Sequence, residues 1–314
     1  MSLTIRPAVP EQDFGAVAAL LSGYENEPIS KEQLLENSRR STNGGMDQRF
    51  VAEADQRIVG YAILLRQTWM PGGRFFVKVW ALPDKRNKGI GAALYDAAVE
   101  RARAYGATSF DSNVLDNEAH SMRFAEARGF TTIRHLFESE IDLRQFDPSR
   151  FEGVLEQVQA SGIRLFTLAD VGNTPENLYK LWDVNYTVYQ DDPGATSPFP
   201  NFDEFQKLTG GASWFNPAGQ FLAADGDTFV GLGALRHNAE NKSCHNMMTG
   251  VLREYRGRKI ALALKLLTIR YAQQLGALTI TTDNDSQNAP MLAINRKLGY
   301  MPLPGVYRLL KETV

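Results

Sequence analysis

Two short basic stretches in this 314-residue chain carry the residue types that hold an anion through the backbone. The first is Arg86-Asn87-Lys88-Gly89-Ile90-Gly91-Ala92, and the second is Arg256-Gly257-Arg258-Lys259-Ile260-Ala261. Each follows a β-branched or aromatic run that reads as a strand, Phe75 to Leu82 in one case and Met247 to Leu252 in the other. Each leads into a helix pattern, Gly91 to Ala104 and Leu262 to Gln274. A helix N-terminus presents N–H groups with no partner in the helix, and its dipole adds positive potential. Glycines at such a turn let a ligand approach the backbone. The chemistry this suits is pyrophosphate binding, although a lone Gly-x-Gly turn reads equally well as a tight strand-to-helix turn.

Repetition decides between the two readings. Arg86 and Arg256 lie 170 residues apart, Asn117 and Asn288 lie 171 apart, and Gly129 and Gly299 lie 170 apart. Three landmarks at a near-constant offset mark an internal duplication, with the break near Asp147-Pro148-Ser149. The expected domains are 1–148 and 149–314, each long enough for its own core.

Stepping along the copies gives the elements that must position these turns. Leu3–Arg6 reads as a strand, followed by a helix to about Ser22. A polar stretch from Ser22 to Gln48 holds Glu25, Glu27 and a short helix near Ser30. Phe50–Ala54 and Ile58–Leu65 read as a hairpin across Asp55-Gln56-Arg57. After the first basic turn come a strand at Ser109–Val114, a helix at Glu118–Arg128 and late strands at 131–143. The second copy opens with a helix over Phe151–Ser161 and a strand at Ile163–Leu168. Val184–Leu208 reads as a long loop before a short helix. A second hairpin over Gln220–Ala224 and Phe229–Leu235 follows, and the copy ends in a strand at Tyr307–Lys311. The pattern predicts mixed α/β domains with a mixed sheet. A Rossmann fold is excluded because its glycine turn follows the first strand, not the fourth.

Composition narrows the function classes. Hydrophobic content of 43% and charged content of 22% are those of an ordinary globular protein. No apolar run reaches membrane-spanning length, and no leader pattern opens the chain, so a cytoplasmic protein without a membrane partner is expected. A single cysteine excludes an internal disulfide, and four scattered histidines give no metal-ligand spacing. A net charge of −2 argues against a nucleic-acid partner.

The residues Arg86-x-x-Gly89-x-Gly91, and Arg256-x-x-Lys259-x-Ala261 with lysine for the middle glycine, resemble the acyl-CoA fingerprint of the GNAT superfamily of N-acetyltransferases. The resemblance covers nearly the whole chain and corresponds to the tandem two-domain form. It implies acetyl-CoA, or another short acyl-CoA, as co-substrate. The implied contacts are Arg86, Asn87, Lys88, Gly89, Ile90, Gly91 and Ala92 in the first copy. In the second they are Arg256, Gly257, Arg258, Lys259, Ile260 and Ala261. Asn117 and Asn288 sit where the family's asparagine meets the pantetheine arm, and helix capping explains either equally well. The family's oxyanion donor, five residues before the fingerprint arginine, falls on Ala81 and Val251.

The resemblance also places a base further back on the same strand. Strand alternation points to Phe75, Val77 and Val79 in the first copy, none of which takes a proton, and to His245, Met247 and Thr249 in the second. His245 is the candidate base, histidine being the side-chain type that exchanges a proton near neutral pH. The tyrosine that many members place seven residues after the asparagine is Phe124 or Asn295 here, so no general acid is assigned. Cys244 and His245 are adjacent on a strand and face opposite sides, which disfavours an acyl-cysteine route. Asp191, Asp192, Asp283 and Asp285 read as solvated loop charge or as a lure for a cationic amine.

The leading expectation is acetyl transfer to the amine of a small molecule by direct attack in a ternary complex, with catalysis in the second copy. The alternative is an acyl-CoA-binding or sensing module without turnover. Transfer dependent on tRNA would need a basic face that the net charge does not offer. Monomer and homodimer both stay open.

Overall fold

The structure is a computed structural model that describes residues 3–24, 29–41, 45–195, 198–212 and 214–313. Glu25 and Glu27 lie outside the described residues. The first copy runs β1 (Leu3–Pro7), α1 (Pro10–Leu21), α2 (Lys31–Ser41), β2 (Met46–Ala54), β3 (Arg57–Arg66), β4 (Arg74–Ala81), α3 (Ile90–Arg103), β5 (Ser109–Leu115), α4 (Ala119–Glu126) and β6 (Thr131–Asp142). The second copy adds α5 (Val154–Ala160), β7 (Ile163–Thr167), α6 (Leu168–Val171), α7 (Pro175–Tyr189), α8 (Phe202–Thr209), β8 (Gln220–Asp225) and β9 (Thr228–Asn238). It closes with β10 (Ser243–Val251), α9 (Ile260–Gln274), β11 (Thr279–Asp285), α10 (Ala289–Leu298) and β12 (Met301–Glu312). The mixed α/β architecture read from the sequence is the one observed.

The compact units exchange a strand relative to the two sequence copies. One unit comprises the residues up to Ile133 together with those from Val306 onward, and the other comprises Arg134–Gly305. In the first, the strand order is β1-β2-β3-β4-β5-β12, and in the second it is β6-β11-β10-β9-β8-β7. β12 runs antiparallel to β5 from Val306–Leu115 to Glu312–Ser109. β6 runs antiparallel to β11 from Leu136–Asp285 to Asp142–Thr279. The expected boundary at 148/149 therefore divides the sequence repeat, while the contacts assign 134–148 to the second unit and 306–314 to the first. Burial explains the exchange: Ile141 of β6 joins the second core, and Leu309 of β12 joins the first.

Each sheet is covered on both faces. In the first unit, α3 buries Ile90, Leu94 and Ala98 against Phe75 and Val77 of β4, while α1 packs Phe14 and Val17 with Val51 and Tyr61 on the other face. In the second, α9 packs Ile260 and Leu264 against Val251 and Cys244. The opposite face takes Leu181, Val184 and Val188 of α7 against Leu222 and Leu232. The hairpin across Asp55 and Gln56 forms as expected, both residues adopting positive φ of 50° and 60°, the mirror-image turn that matches strand twist.

Three local expectations differ from the structure. Val184 to Tyr189 is the last part of α7 and not a loop; Pro175 sits in its first turn behind the cap of Thr174. Phe151 closes a short 3-10 turn, because Gly153 at φ 76° separates it from α5. The asparagine repeat is also out by one position. Helices α4 and α10 begin 170 residues apart at Ala119 and Ala289, so Asn288 corresponds to Glu118.

Candidate active site

In both units a parallel strand pair is joined at the end away from the basic turn and separates as it runs toward that turn. β4 pairs with β5 only from Arg74 to Phe76, although both strands continue. β10 pairs with β11 only from Ser243 to Asn246. Beyond these points the edge of each central strand has no ladder partner. Leu82 N donates to Val59 O and Leu252 N donates to Val230 O, both toward the neighbouring antiparallel strand. Alternation then turns the N–H groups of Val79 and Ala81, and of Thr249 and Val251, toward the separated edge. An extended amide-bearing chain finds complementary backbone groups there.

The turns at the open ends share one backbone geometry. Asn87 and Gly89 adopt φ of 61° and 79°, and Gly257 and Lys259 adopt 79° and 63°. The two left-handed positions thus recur 170 residues apart, with glycine and the other residue type interchanged. Neither α3 nor α9 has a side-chain N-cap, whereas α7, α8 and α10 are capped by Thr174, Asn201 and Asn288. The first intrahelical bonds reach Ala93 and Ala263, so the N–H groups of Ile90, Gly91, Ala92 and of Ile260, Ala261, Leu262 precede the ladder. This is the arrangement that receives a phosphate.

The basic side chains are held off these amides. Lys88 donates to Asp84 O at 3.2 Å, and Arg86 lies 3.8 Å from Glu118 and over the Tyr24 ring. Arg256 donates to Val251 O at 3.1 Å, Arg258 to Ser161 O at 3.0 Å and Lys259 to Gln157 Oε1 at 2.8 Å. Its contact with Gln157 turns the Lys259 side chain away from the turn. A Cβ at Gly91 would meet the Phe124 ring at 3.0 Å. The second copy tolerates Ala261 at that place, beside the smaller Ile294.

The asparagines part company. Asn288 Oδ1 accepts from Met291 N at 3.3 Å and caps α10, while Asn117 is exposed before α4 and leaves the cap position to Glu118. The acidic residues are also accounted for. Asp191 binds Arg253 Nε at 2.8 Å and Arg256 at 2.5 Å, and these guanidinium partners hold its carboxyl down to about 2. Asp285 pairs with Arg134. Burial pushes the Cys244 thiol up to about 11, so it is no nucleophile.

His245 is the titratable group that the second strand presents. Its Nδ1 lies 2.8 Å from Thr281 Oγ1, and its Nε2 lies 3.4 Å from Asp283 Oδ2. Hydrogen bonding to His245 keeps the Asp283 carboxyl below its ordinary range. Both line a concave site of about 460 Å³ with Glu138, Arg236, Ser243 and Thr281.

Strand alternation from His245 to Thr249 fails. A bulge between Asn246 and Met248 inserts one residue into the ladder with β9. Cys244 and Val251 consequently face α9, while Met248 and the α-carbon of Gly250 face α7. His245, opposite Cys244 in direction, lies on the α7 side, whereas Thr249 turns its hydroxyl to Asn246 on the α9 side. Six residues at a rise of ~3.3 Å also put His245 roughly 20 Å from Val251 along the strand. The two cannot touch one acyl carbon. The N–H of Thr249, a residue expected on the face of the base, is the nearer of the two edge donors.

A fold of two mixed sheets, each with a separated strand pair opening at an uncapped helix, defines a tandem acyl-CoA transferase. The chain matches the acetyltransferase (GNAT) family over residues 16–130 and 177–300, and it belongs to that family. It is an N-acetyltransferase with acetyl-CoA as its acyl donor. A mycothiol acetyltransferase of Pseudarthrobacter chlorophenolicus is 23% identical over 250 residues, covering 78% of this chain and 72% of that one. Among solved structures, a GCN5-related N-acetyltransferase from Sphaerobacter thermophilus superposes with a TM-score of 0.61 at 21% identity, over 99% of this chain and 95% of that one. A tandem GNAT protein from the clavulanic acid biosynthesis pathway gives 0.59 at 20% identity, over 99% and 98%. These two share the fold. Among the described residues, no helix is long and apolar enough to cross a membrane, and no cluster of His, Cys, Asp or Glu could hold a metal ion.

Proposed function

We propose that the second unit moves the acetyl group to the amine of a small hydrophilic molecule, with His245 as general base. The observation that carries this reading is the His245–Thr281–Asp283 arrangement in a polar concavity on the strand whose edge opens beside it. With Nδ1–H donating to Thr281, the lone pair of Nε2 is the one that takes the ammonium proton, and Asp283 then stabilises the imidazolium. Glu138 and Asp283 favour a cationic amine in the same concavity. The free amine attacks the acetyl carbonyl, the C–S bond breaks with its electron pair going to sulfur, and the departing thiolate takes the second proton that the nitrogen sheds as the amide forms. The oxyanion is received by the edge N–H of Thr249, and the Val251 N–H serves the amide-bearing arm. His245 reaches the acceptor nitrogen through bridging water. The relatives' name, mycothiol acetyltransferase, supports a small-molecule acceptor.

The first unit reads as an acyl-CoA-binding half without chemistry. β4 keeps an unbroken register with β3, and the Tyr24 hydroxyl donates to the Ala81 carbonyl at the separated edge. The residue at the register of His245, opposite Asp111 as His245 is opposite Thr281, is Phe76, which takes no proton.

His245→Ala is expected to lower kcat by roughly 10²- to 10⁴-fold. Acetyl-CoA affinity, measured by calorimetry, should stay within about threefold. Unchanged turnover with screened amines would remove His245 from the mechanism.

A further inference from the structure

Behind the bulge of β10 lies a buried polar cluster that neither phosphate binding nor proton transfer uses. Lys265, on α9, is 1% exposed, and its Nζ donates to Asn246 Oδ1 at 2.9 Å. The Asn246 amide reaches both sides of the bulge, donating to Met248 O at 2.8 Å and to Ala234 O at 3.3 Å. Its Oδ1 also accepts from Thr249 Oγ1 at 3.1 Å. Thr282 Oγ1 donates to the Asn246 carbonyl at 3.1 Å, at the last paired position before β10 and β11 separate. One side chain thus replaces ladder bonds that the bulge removes, and a buried ammonium fixes its orientation.

Burying a lysine is costly unless something is gained. Among the described residues no carboxylate pairs with it: Nζ sits 5.0 Å from the centroid of the Tyr300 ring, and that phenol hydroxyl is itself buried with no hydrogen-bond partner among them. The first unit does without the whole device. The residues 170 positions earlier are Phe76, Val79 and Tyr95, and its β3–β4 register shows no bulge. The cluster therefore goes with the unit assigned to catalysis and is absent from the other.

The geometry points to Lys265 and Asn246 as positioning residues that hold the β10 bulge, and through it the Thr249 N–H, in register with the acyl carbonyl. This rests on the reading that the second unit carries out the transfer. Neither side chain touches substrate. Their effect is to fix where the edge N–H points, and a misplacement of about 1 Å in such a group can cost ~10²-fold in rate.

The test has two stages on the full-length chain. Ala261→Trp, which crowds the second phosphate turn, should abolish turnover; intact turnover would show that the second unit is not the catalytic one and would overturn the premise along with the inference. With that established, Lys265→Met and Asn246→Leu should each lower kcat at least tenfold. Calorimetric acetyl-CoA affinity and acceptor KM should stay within about threefold, because both side chains lie on the α9 side of β10, whereas the phosphate turn follows the far end of that strand and His245 points to the α7 side. Lys265→Gln, which keeps an N–H for Asn246 Oδ1, should recover a substantial part of the loss. Should Asn246→Leu fail to fold, the Lys265 pair decides alone. Unchanged kcat in Lys265→Met, or equal losses in the Met and Gln variants, would overturn the assignment.

Discussion

Lys265 and Asp191 show how single side chains set the pH response. Burial holds the Lys265 ammonium down to about 7, against ~10.4 in an unfolded chain. Between those values the unfolded state binds more protons, so this residue makes stability rise with pH. Its penalty is complete below 7 and fades toward pH 10. Lys265→Met should accordingly gain more thermal stability at pH 6 than at pH 9.5, even as it loses turnover, which thermal melts at the two pH values will show. Asp191 has the opposite sign. Its carboxyl lies at about 2 in the folded chain and ~3.9 when unfolded, so its contribution is whole above pH 4 and is lost as pH falls through about 2. The guanidinium partners are exposed, and Asp191→Asn should cost about 1 kcal/mol or less at pH 7 and progressively less as pH falls through 2, read from denaturant titrations.

Among the elements, α7 and β10 depend on close approach. A Cβ at Gly250 would sit 2.7 Å from Val188 of α7. Gly250→Ala should destabilise by about 1–3 kcal/mol, and adding Val188→Ala should return only part of it, because the Val188 Cβ that alanine keeps is itself 2.7 Å away; a double-mutant cycle measures the coupling. Much of this level was readable from the chain. The strands flanking each turn, both hairpins and the helices behind the fingerprints follow from periodicity, and the left-handed positions follow from Gly89 and Gly257. The start of α7 was legible too, in Thr174-Pro175 and the spacing of Leu178, Leu181, Val184 and Val188, but Asp191-Asp192-Pro193 drew attention to a loop and hid its last turns. The bulge was not legible. It depends on Asn246 finding Lys265, nineteen residues away on another element, and no local pattern announces it. That one inserted residue is why His245 and Thr249 do not share a face.

For the whole molecule, the exchange of β6 and β12 decides which pieces can exist alone. A fragment ending at 148 would lack the strand that pairs with β5, and one starting at 149 would lack the strand that pairs with β11. Expressed singly, each should expose an unpaired sheet edge and aggregate. A chain nicked in the exposed segment 144–150 is different, since each unit still contains a strand from either fragment. Limited trypsin treatment should give two bands on a denaturing gel and an unchanged native mass; separation of the fragments without denaturant would contradict the exchange. The same connectivity also dictates the order of events on the ribosome. Residues up to 133 are made well before the strand that completes their sheet, so the earlier half must wait, incomplete, while 134–305 are synthesised. The second unit, whose residues are continuous in sequence, can close before the first, and a truncation that removes β12 would harm the half that was synthesised earlier.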